Sequence, residues 1–456
     1  MKIIILGAGT VGSTLAISLS KEDNDITVVD ENQATLHHLE EEADISTIVG
    51  SCSYPTTLVN AGIKEADMVV AVTGSDEINI VSSLMSKVLS PNVKTIARIR
   101  ESSYLQNKTK AAIDAGVIPV DIVVSPEKLI TNHIQALIDT PGSLQVLEFG
   151  DGLLYLVGVR AVSGGPLIGH EIADLKKHMP NVDTRVAAIF RSGGAIIPKG
   201  TTTVMAGDEV FFIARKKDAK RVINEMRTKE DPYKYVVIAG GGKIGSSLAE
   251  QIEDNHRVKI IESDPSRAKK ISESLLDTIV LEGNVSDKSL LHEENIEDCD
   301  VFVAVTNDDE ANVMSCMLAK EMGAHKVIAL INNEAYVDLV QGKSIDVAIA
   351  PSQITIGTFL SELAGDEVVK VHSLRRGVAE AIETIVRPSP NGNGDVVGKE
   401  LGTIKLPLGA TIGAIIRKKK AKIAHDNVKL RENDHVILFL TDKKLLPQIK
   451  DIFSPH

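Results

Sequence analysis

The chain has 456 residues, 43% hydrophobic and 25% charged, an ordinary globular balance that predicts two to four domains at about 150 residues each. Its formal charge of −12 disfavours wholesale binding to nucleic acid or anionic lipid, and 3% aromatic residues with no Trp leave no stacking platform for single strands. Cys52, Cys299 and Cys316 are odd in number and lack Cys-x-x-Cys spacing, which predicts a reducing compartment and argues against a disulfide framework or a structural zinc.

Met1-Lys2 runs straight into a predicted strand, with no signal-peptide layout. No apolar run approaches the ~18 residues of a transmembrane helix, so a soluble, cytoplasmic protein is expected. The strand Ile3-Ile4-Ile5-Leu6 meets Gly7-Ala8-Gly9-Thr10-Val11-Gly12, and Val11, Leu15 and Leu19 continue at helical spacing. This is Gly-x-Gly-x-x-Gly in its strand–turn–helix context. The glycines permit a tight turn, close approach to a pyrophosphate and close helix–strand packing. Asp30 ends the next apolar run, Ile26 to Val29, where a carboxylate can accept both hydroxyls of an adenosine ribose.

A polar helix is predicted over 33–42, then a strand over 47–49 and a helix opened by Pro55. Met68-Val69-Val70-Ala71-Val72 has the continuous apolar character of a strand buried on both faces. Thr73 and Gly74 follow it, with Asp76 a candidate cap for the next helix. A strand at 94–98 ends in Arg98, whose guanidinium could reach a phosphate or make a surface ion pair. A helix from about Tyr104 and a strand at 122–124 complete an alternating pattern, that of a doubly wound parallel sheet. After the turn-like Asp139-Thr140-Pro141-Gly142 the texture changes. Strands are predicted at 153–162, 186–189 and 210–214, with helical spacing at 172–177 and 219–226, as in a small α+β domain. Lys229-Glu230-Asp231-Pro232 then breaks the pattern.

At Tyr235 the chain begins again. Tyr235 to Ala239 leads into Gly240-Gly241-Gly242-Lys243-Ile244-Gly245, with Gly240 lying 233 residues after Gly7, and Glu262 closes the next apolar run as Asp30 does. The windows 67–79 and 300–312 share eight of thirteen residues, among them Thr73 with Thr306 and Asn79 with Asn312. Gly207-Asp208-Glu209-Val210 is echoed by Asn433-Asp434-His435-Val436, so the small domain returns as well. The fold class expected is α/β, two Rossmann-like doubly wound domains each followed by a small α+β domain. The expected boundaries are 1–139, 140–230, 231–366 and 367–456. This is a tandem duplication of two whole units, not a solenoid.

Catalytic groups are harder to find. No His-Glu-x-x-His or Gly-x-Ser-x-Gly occurs, and Gly342-Lys343-Ser344 lacks the first glycine of a Walker loop, Val337 standing in its place. His37-His38 reads as a solvated helix face, and His170, His372 and His425 as surface or packing residues. Cys299 stands between two aspartates, which raise a thiol's pKa and make a poor nucleophile. Arg417-Lys418-Lys419-Lys420 is expected at the solvated tip of a hairpin, with a docking patch as the alternative. The second site differs from the first: Leu330 replaces Arg98, Asn332 replaces Arg100, and Lys243 adds a cation. Asp30 and Glu262 both favour NAD(H) or an adenine nucleotide over NADP(H).

Duplicated glycine loops, acids ending each second strand, Ala71-Val72-Thr73 and its copy Ala304-Val305-Thr306, and a small domain after each half together resemble one family. It is the RCK family (regulators of potassium conductance), in the tandem form of the cytoplasmic regulatory subunits of Trk potassium uptake systems. The resemblance covers essentially the whole chain. It implies a regulatory protein, not an enzyme, that binds NAD(H), ATP or ADP without consuming them. It further implies a homo-oligomeric ring, peripheral at the inner face of the cell membrane through a membrane-embedded potassium transporter, with no membrane insertion and no nucleic acid. By the same resemblance the nucleotide contacts fall on Gly7, Ala8, Gly9, Thr10, Val11, Asp30, Thr73, Gly74 and Arg98. The second set falls on Gly240, Gly241, Gly242, Lys243, Ile244, Glu262, Thr306 and Asn307, with no catalytic and no metal-binding residue. The rival expectations are an NAD-dependent oxidoreductase and a nucleotide-binding scaffold for some other membrane transporter.

Overall fold

The computed structural model describes residues 1–21, 24–340, 342, 344–363, 368–374, 379–389 and 396–453. The expected boundary at 366/367 and Lys343 lie outside them. The chain forms two compact units: Met1–Leu129 with Pro351–Phe359, and Ile130–Ala350 with Leu360–His456.

In the first unit six strands make one parallel sheet: β1 (Lys2–Leu6), β2 (Asp25–Asp30), β3 (Ser46–Val49), β4 (Met68–Ala71), β5 (Lys94–Arg98) and β6 (Ile122–Val124). Their order is β3-β2-β1-β4-β5-β6, so the chain reverses its direction of travel beside β1. That switch point, at the carboxyl ends of β1 and β4, is where an open α/β sheet leaves a crevice. Every residue of β4 is buried, as its unbroken apolar run requires when helices cover both faces. Leu6, Val29, Leu58, Val69, Ala71 and Ala97 meet in the core.

The second unit holds three sheets. The first small domain contributes β7 (Ser143–Phe149), β8 (Leu154–Arg160), β9 (Thr184–Arg191), β10 (Gly194–Ile196) and β11 (Glu209–Arg215), in the order β10-β9-β11-β8-β7. A second parallel sheet follows: β12 (Tyr235–Ala239), β13 (Arg257–Glu262), β14 (Ile279–Glu282), β15 (Val301–Ala304), β16 (Lys326–Leu330) and β17 (Val347–Ile349). Its order, β14-β13-β12-β15-β16-β17, is that of the first. The last sheet comprises β18 (Val368–Leu374), β19 (Ala379–Ile385), β20 (Ala410–Arg417), β21 (Lys420–Ile423) and β22 (His435–Leu440). Its order β18-β19-β22-β20-β21 repeats the first small sheet strand for strand.

The two small sheets share one apolar core, in which Phe149, Phe190, Phe211 and Ile213 meet Ala414, Ile416, Ile437 and Phe439. Phe190 stands edge-on to Phe211 at 5.5 Å and to Phe439 at 6.5 Å.

Some local expectations shift. Ser75, not Asp76, caps the Asp76–Leu89 helix, its hydroxyl accepting the Ile78 N–H at 3.2 Å. The helix expected near Tyr104 is a 3₁₀ turn, Ser102–Leu105, followed by a helix at Asn107–Asp114. β7 follows at once on the Pro141-Gly142 turn, and β10 is three residues long, so neither carries a sequence signal of its own. The basic cluster does form a hairpin tip, with Lys418 and Lys419 exposed between β20 and β21.

Candidate nucleotide-binding crevices

The first glycine loop owes its shape to two residues. Gly7 has φ +107°, a conformation side chains disfavour, and its N–H donates to Val29 O at 2.8 Å. A Cβ on Gly12 would stand 1.9 Å from Gly7 O, so only glycine lets the Thr10–Ser20 helix start this close to β1. Gly9 is the N-cap of that helix and offers no side-chain cap, so the first-turn N–H groups face outward with the macrodipole behind them. Nothing lies within 4 Å of a Cβ placed on Gly9, which leaves the approach open.

Asp30, at the end of β2, is half-buried beside the loop. Its Oδ2 accepts the Ala8 N–H at 2.7 Å and its Oδ1 the Asn32 N–H at 2.8 Å. Each oxygen keeps acceptor capacity for a further donor. The Gly7 backbone passes against Thr73 on the other side, where a Cβ would meet the Thr73 backbone at 3.0 Å. Gly7, Ala8, Asp30 and Thr73 therefore border one crevice.

Arg98 joins it through Asn79, a buried residue that the sequence marked only as part of the repeated window. Asn79 Oδ1 accepts the Thr73 N–H at 2.9 Å and its hydroxyl at 2.7 Å, while Asn79 Nδ2 donates to Arg98 O at 2.9 Å. Asp76, also buried, accepts the N–H groups of Arg100 and Glu101 at 2.8–3.1 Å and fixes the loop after β5. The Arg100 guanidinium donates to Gly74 O. Arg98 makes no ion pair among the described residues: its Nε is buried without a hydrogen-bond partner. Burial, and next the Arg100 charge, push its pKa down from the usual guanidinium value. A buried orphan donor is costly, and an anionic ligand would satisfy it.

The second crevice repeats this frame. Gly240 has φ +105° and a Cβ on Gly245 would stand 1.9 Å from Gly240 O. Asn312 Oδ1 accepts the Thr306 N–H at 2.9 Å and hydroxyl at 2.7 Å, and its Nδ2 donates to Leu330 O at 2.9 Å. Gly242 caps the Lys243–Ile252 helix, with Lys243 exposed at its first position, Ile244 half-buried behind it and Asn307 exposed after Thr306. The acid is different. Glu262 is 3% exposed; its Oε2 accepts the Gly241 N–H at 3.0 Å and pairs with Arg267 Nη1 at 3.3 Å, and its Oε1 accepts the Asp264 N–H at 2.8 Å. Burial works to raise its pKa, but the Asp264 and Gly241 N–H groups and the Arg267 charge together hold it below the usual carboxylate value. Nothing in the sequence singled out Arg267, because the first half has Thr35 at that place.

Neither crevice carries a reactive thiol. Burial, then Asp30 and Glu31, push Cys52 up to about 12, and burial does the same to Cys299. Among the described residues no group of three or more His, Cys, Asp and Glu is placed to hold a metal ion, and no helix is long and apolar enough to cross a membrane.

Comparison with known proteins agrees with this architecture. The TrkA-N domain model matches residues 3–126 and 236–351, and the TrkA-C domain model matches 156–227. The chain is 52% identical to the Trk system potassium uptake protein TrkA of Halomonas elongata, over 100% of this chain and 99% of that one. It is 49% identical to the protein of the same name from Vibrio alginolyticus, again over 100% and 99%. Among solved structures it resembles the GsuK channel bound to NAD, with a TM-score of 0.62 at 17% identity over 100% of this chain and 79% of that one, which establishes a shared fold. The chain belongs to the TrkA family of Trk system potassium uptake proteins.

Proposed function

We propose that this chain is a nucleotide-sensing regulatory subunit of a membrane-embedded potassium transporter, and that it acts without catalysis. In this reading NAD(H), or ATP or ADP, binds with its phosphates on Gly7 to Val11 and its ribose on Asp30. Thr73, Gly74 and Arg98 complete that crevice. Gly240 to Ile244, Glu262, Thr306 and Asn307 form the second. The observation that carries the reading is the open helix N-terminus at Gly9, without a side-chain cap, beside the half-buried carboxylate of Asp30. Donors and a fixed carboxylate recognise a phosphorylated nucleoside. An oxidoreductase needs in addition an acid or base aimed at the reacting carbon, whereas the carboxylates tied to this crevice, Asp30 and Asp76, are each engaged by backbone N–H groups, and Thr73 and Asn79 bind and orient.

The protein would lie in the cytoplasm, peripheral to the membrane through its transporter, as a homo-oligomeric ring of domains divided at 139/140, 230/231 and 366/367. A ligand gates such a partner only by binding one ring conformation better than another, and about 1.4 kcal/mol of difference shifts the populations tenfold. The test is titration of the full chain with NADH and ATP by calorimetry, beside potassium uptake in a strain lacking this chain. Asp30→Ala is expected to weaken first-crevice binding at least tenfold and to blunt nucleotide control of uptake. Lost binding with unchanged control would remove the first crevice from the mechanism, and steady NADH consumption would restore the oxidoreductase.

A further inference from the structure

We infer that Arg267 sets the ligand class of the second crevice, turning it toward nucleotides that carry a phosphate on the adenosine ribose, the NADP(H) type. The inference rests on the proposal that both crevices bind nucleotides, and it makes them unequal in kind.

Three corresponding positions carry the difference. In the first crevice Thr10, Asp30 and Thr35 bring a single negative charge; in the second Lys243, Glu262 and Arg267 bring a single positive one. Asp30 is half-exposed and each of its oxygens accepts one backbone N–H, so lone pairs are left for a ribose diol. A phosphate in place of the 2′-hydroxyl would meet that carboxylate, with threonines at the two positions where the second crevice has cations.

Glu262 is placed otherwise. Its extra methylene folds the carboxylate back over the loop, and Gly241 accommodates it by lacking the methyl group of Ala8. A Cβ on Gly241 would stand 3.1 Å from Glu262 Oε2 and 2.5 Å from Ile271 Cδ1. Buried under this contact, and holding two backbone N–H groups and a guanidinium, Glu262 has little left for a ribose diol. It serves as the anchor of Arg267. The Arg267 side chain is 50% exposed, and Glu262 engages one of its two terminal nitrogens. A guanidinium has five N–H donors in a fork suited to phosphate, so most of them stay available at the ribose end of the crevice. From the sequence, Glu262 repels a 2′-phosphate as Asp30 does; the ion pair reverses that at the second crevice. An arginine near the end of the second strand is the general device by which Rossmann folds accept a 2′-phosphate.

The experiment is competitive binding of NADH and NADPH to the full-length chain by calorimetry, with Asp30→Ala used to isolate the second crevice. The expected result is at least a tenfold preference for NADPH at the second crevice and at least a tenfold preference for NADH at the first. Arg267→Ala should remove the NADPH preference, with NADH titrating the first crevice as the internal reference. Thr35→Arg should raise NADPH affinity at the first crevice about tenfold. Tighter NADH than NADPH at the second crevice overturns the inference, and so does an equal loss of both nucleotides in Arg267→Ala, which would mean a role indifferent to the ribose phosphate. Either result leaves the sensing function standing if NADH still binds the first crevice. Binding of neither nucleotide at either crevice would remove both.

Discussion

In the first parallel-sheet domain Asn79 ties Thr73 to Arg98 O with bonds of 2.9, 2.7 and 2.9 Å; in the second Asn312 ties Thr306 to Leu330 O with the same three lengths. Asp76 and Asp309 each receive the two N–H groups that follow the fifth strand. The small domains repeat a fork as well: Arg191 meets both oxygens of buried Asp208 at 2.8 Å, and Arg417 meets those of Asp434 at 2.6–2.7 Å. These are places where a buried backbone or charged group must have a partner, so either copy is destabilised by losing it. The copies differ at Arg98 and Leu330, Thr35 and Arg267, Thr10 and Lys243, where water or a ligand can supply the partner instead. Duplication has kept the frame and varied what the frame presents.

The largest effect should come from the frame itself. Gly12→Ala and Gly245→Ala each place a methyl 1.9 Å from a backbone oxygen that cannot move without breaking the loop. Each is expected to cost about 3 kcal/mol, confined to its own domain. Hydrogen-exchange mass spectrometry under increasing urea resolves the two domains. A cost below about 1 kcal/mol at either position would show that the loops are not one device used twice.

Asn79→Ala and Asn312→Ala come next, at about 2 kcal/mol each, since each removes a buried amide and strands a part-buried Thr N–H and a carbonyl. Here the comparison sharpens. Both changes release a crevice threonine, so nucleotide affinity should fall with stability in each domain; in the first the freed carbonyl belongs to Arg98, in the second to Leu330, so the loss of affinity should be larger in the first. Calorimetric titration of both variants separates the outcomes, and equal losses of affinity would contradict the assigned inequality.

How far this was legible depends on distance along the chain. The glycine loops, the buried strands β1 and β4 and the acids that follow are local patterns, and their repetition after 233 residues made the architecture readable. The side chains that organise the crevices were not. Asn79 and Asp76 stood in the repeated window, but their task is to satisfy backbone groups 19 to 25 residues away. The pairing of Arg267 with Glu262 depends on how a longer acid folds over Gly241, which no period in the sequence encodes. The shared core of the small sheets joins Phe149 and Phe190 to Phe439, residues from opposite halves whose apolar pattern marks them as buried without saying against what.

The junction leading into the second half breaks the comparison by pH. Glu230 accepts the Tyr233 hydroxyl at 2.8 Å and pairs with His325 at 3.4 Å and with Arg227. Burial works to raise its pKa, but these partners bring it down to about 2. A depressed carboxylate contributes stability that is present above its unfolded value, near 4.5, and is lost as pH falls toward 2. His325 is raised by the same pair, so its share is present below 6.5 and is lost as pH climbs through its folded value. Partial solvation reduces the expected loss on acidification to about 1–2 kcal/mol. Unfolding of the second unit between pH 5 and pH 3 should show it, and Glu230→Gln should flatten the slope. An unchanged slope would assign the acid sensitivity elsewhere.

The smallest effect concerns the two hairpin tips, which rest on the same Arg–Asp fork. The first turns through Ser192 and Gly193 at φ +50° and +87°; the second through Lys418 and Lys419 at +48° and +59°. A type I′ turn wants positive φ at both central residues, where glycine has no Cβ to clash and lysine does. Lys419→Gly is therefore expected to stabilise the second small domain by about 0.5 kcal/mol, the relief of the clash being partly offset by the greater entropy glycine loses on folding. Gly193→Lys should destabilise the first by about 1 kcal/mol. Thermal unfolding of the reciprocal pair measures both. If the signs are as stated, the second tip keeps its lysines against the preference of its own backbone, and the charge is what differs between the two copies. If Lys419→Gly is destabilising instead, the lysine stems pack on the hairpin, and the tip is part of the frame after all.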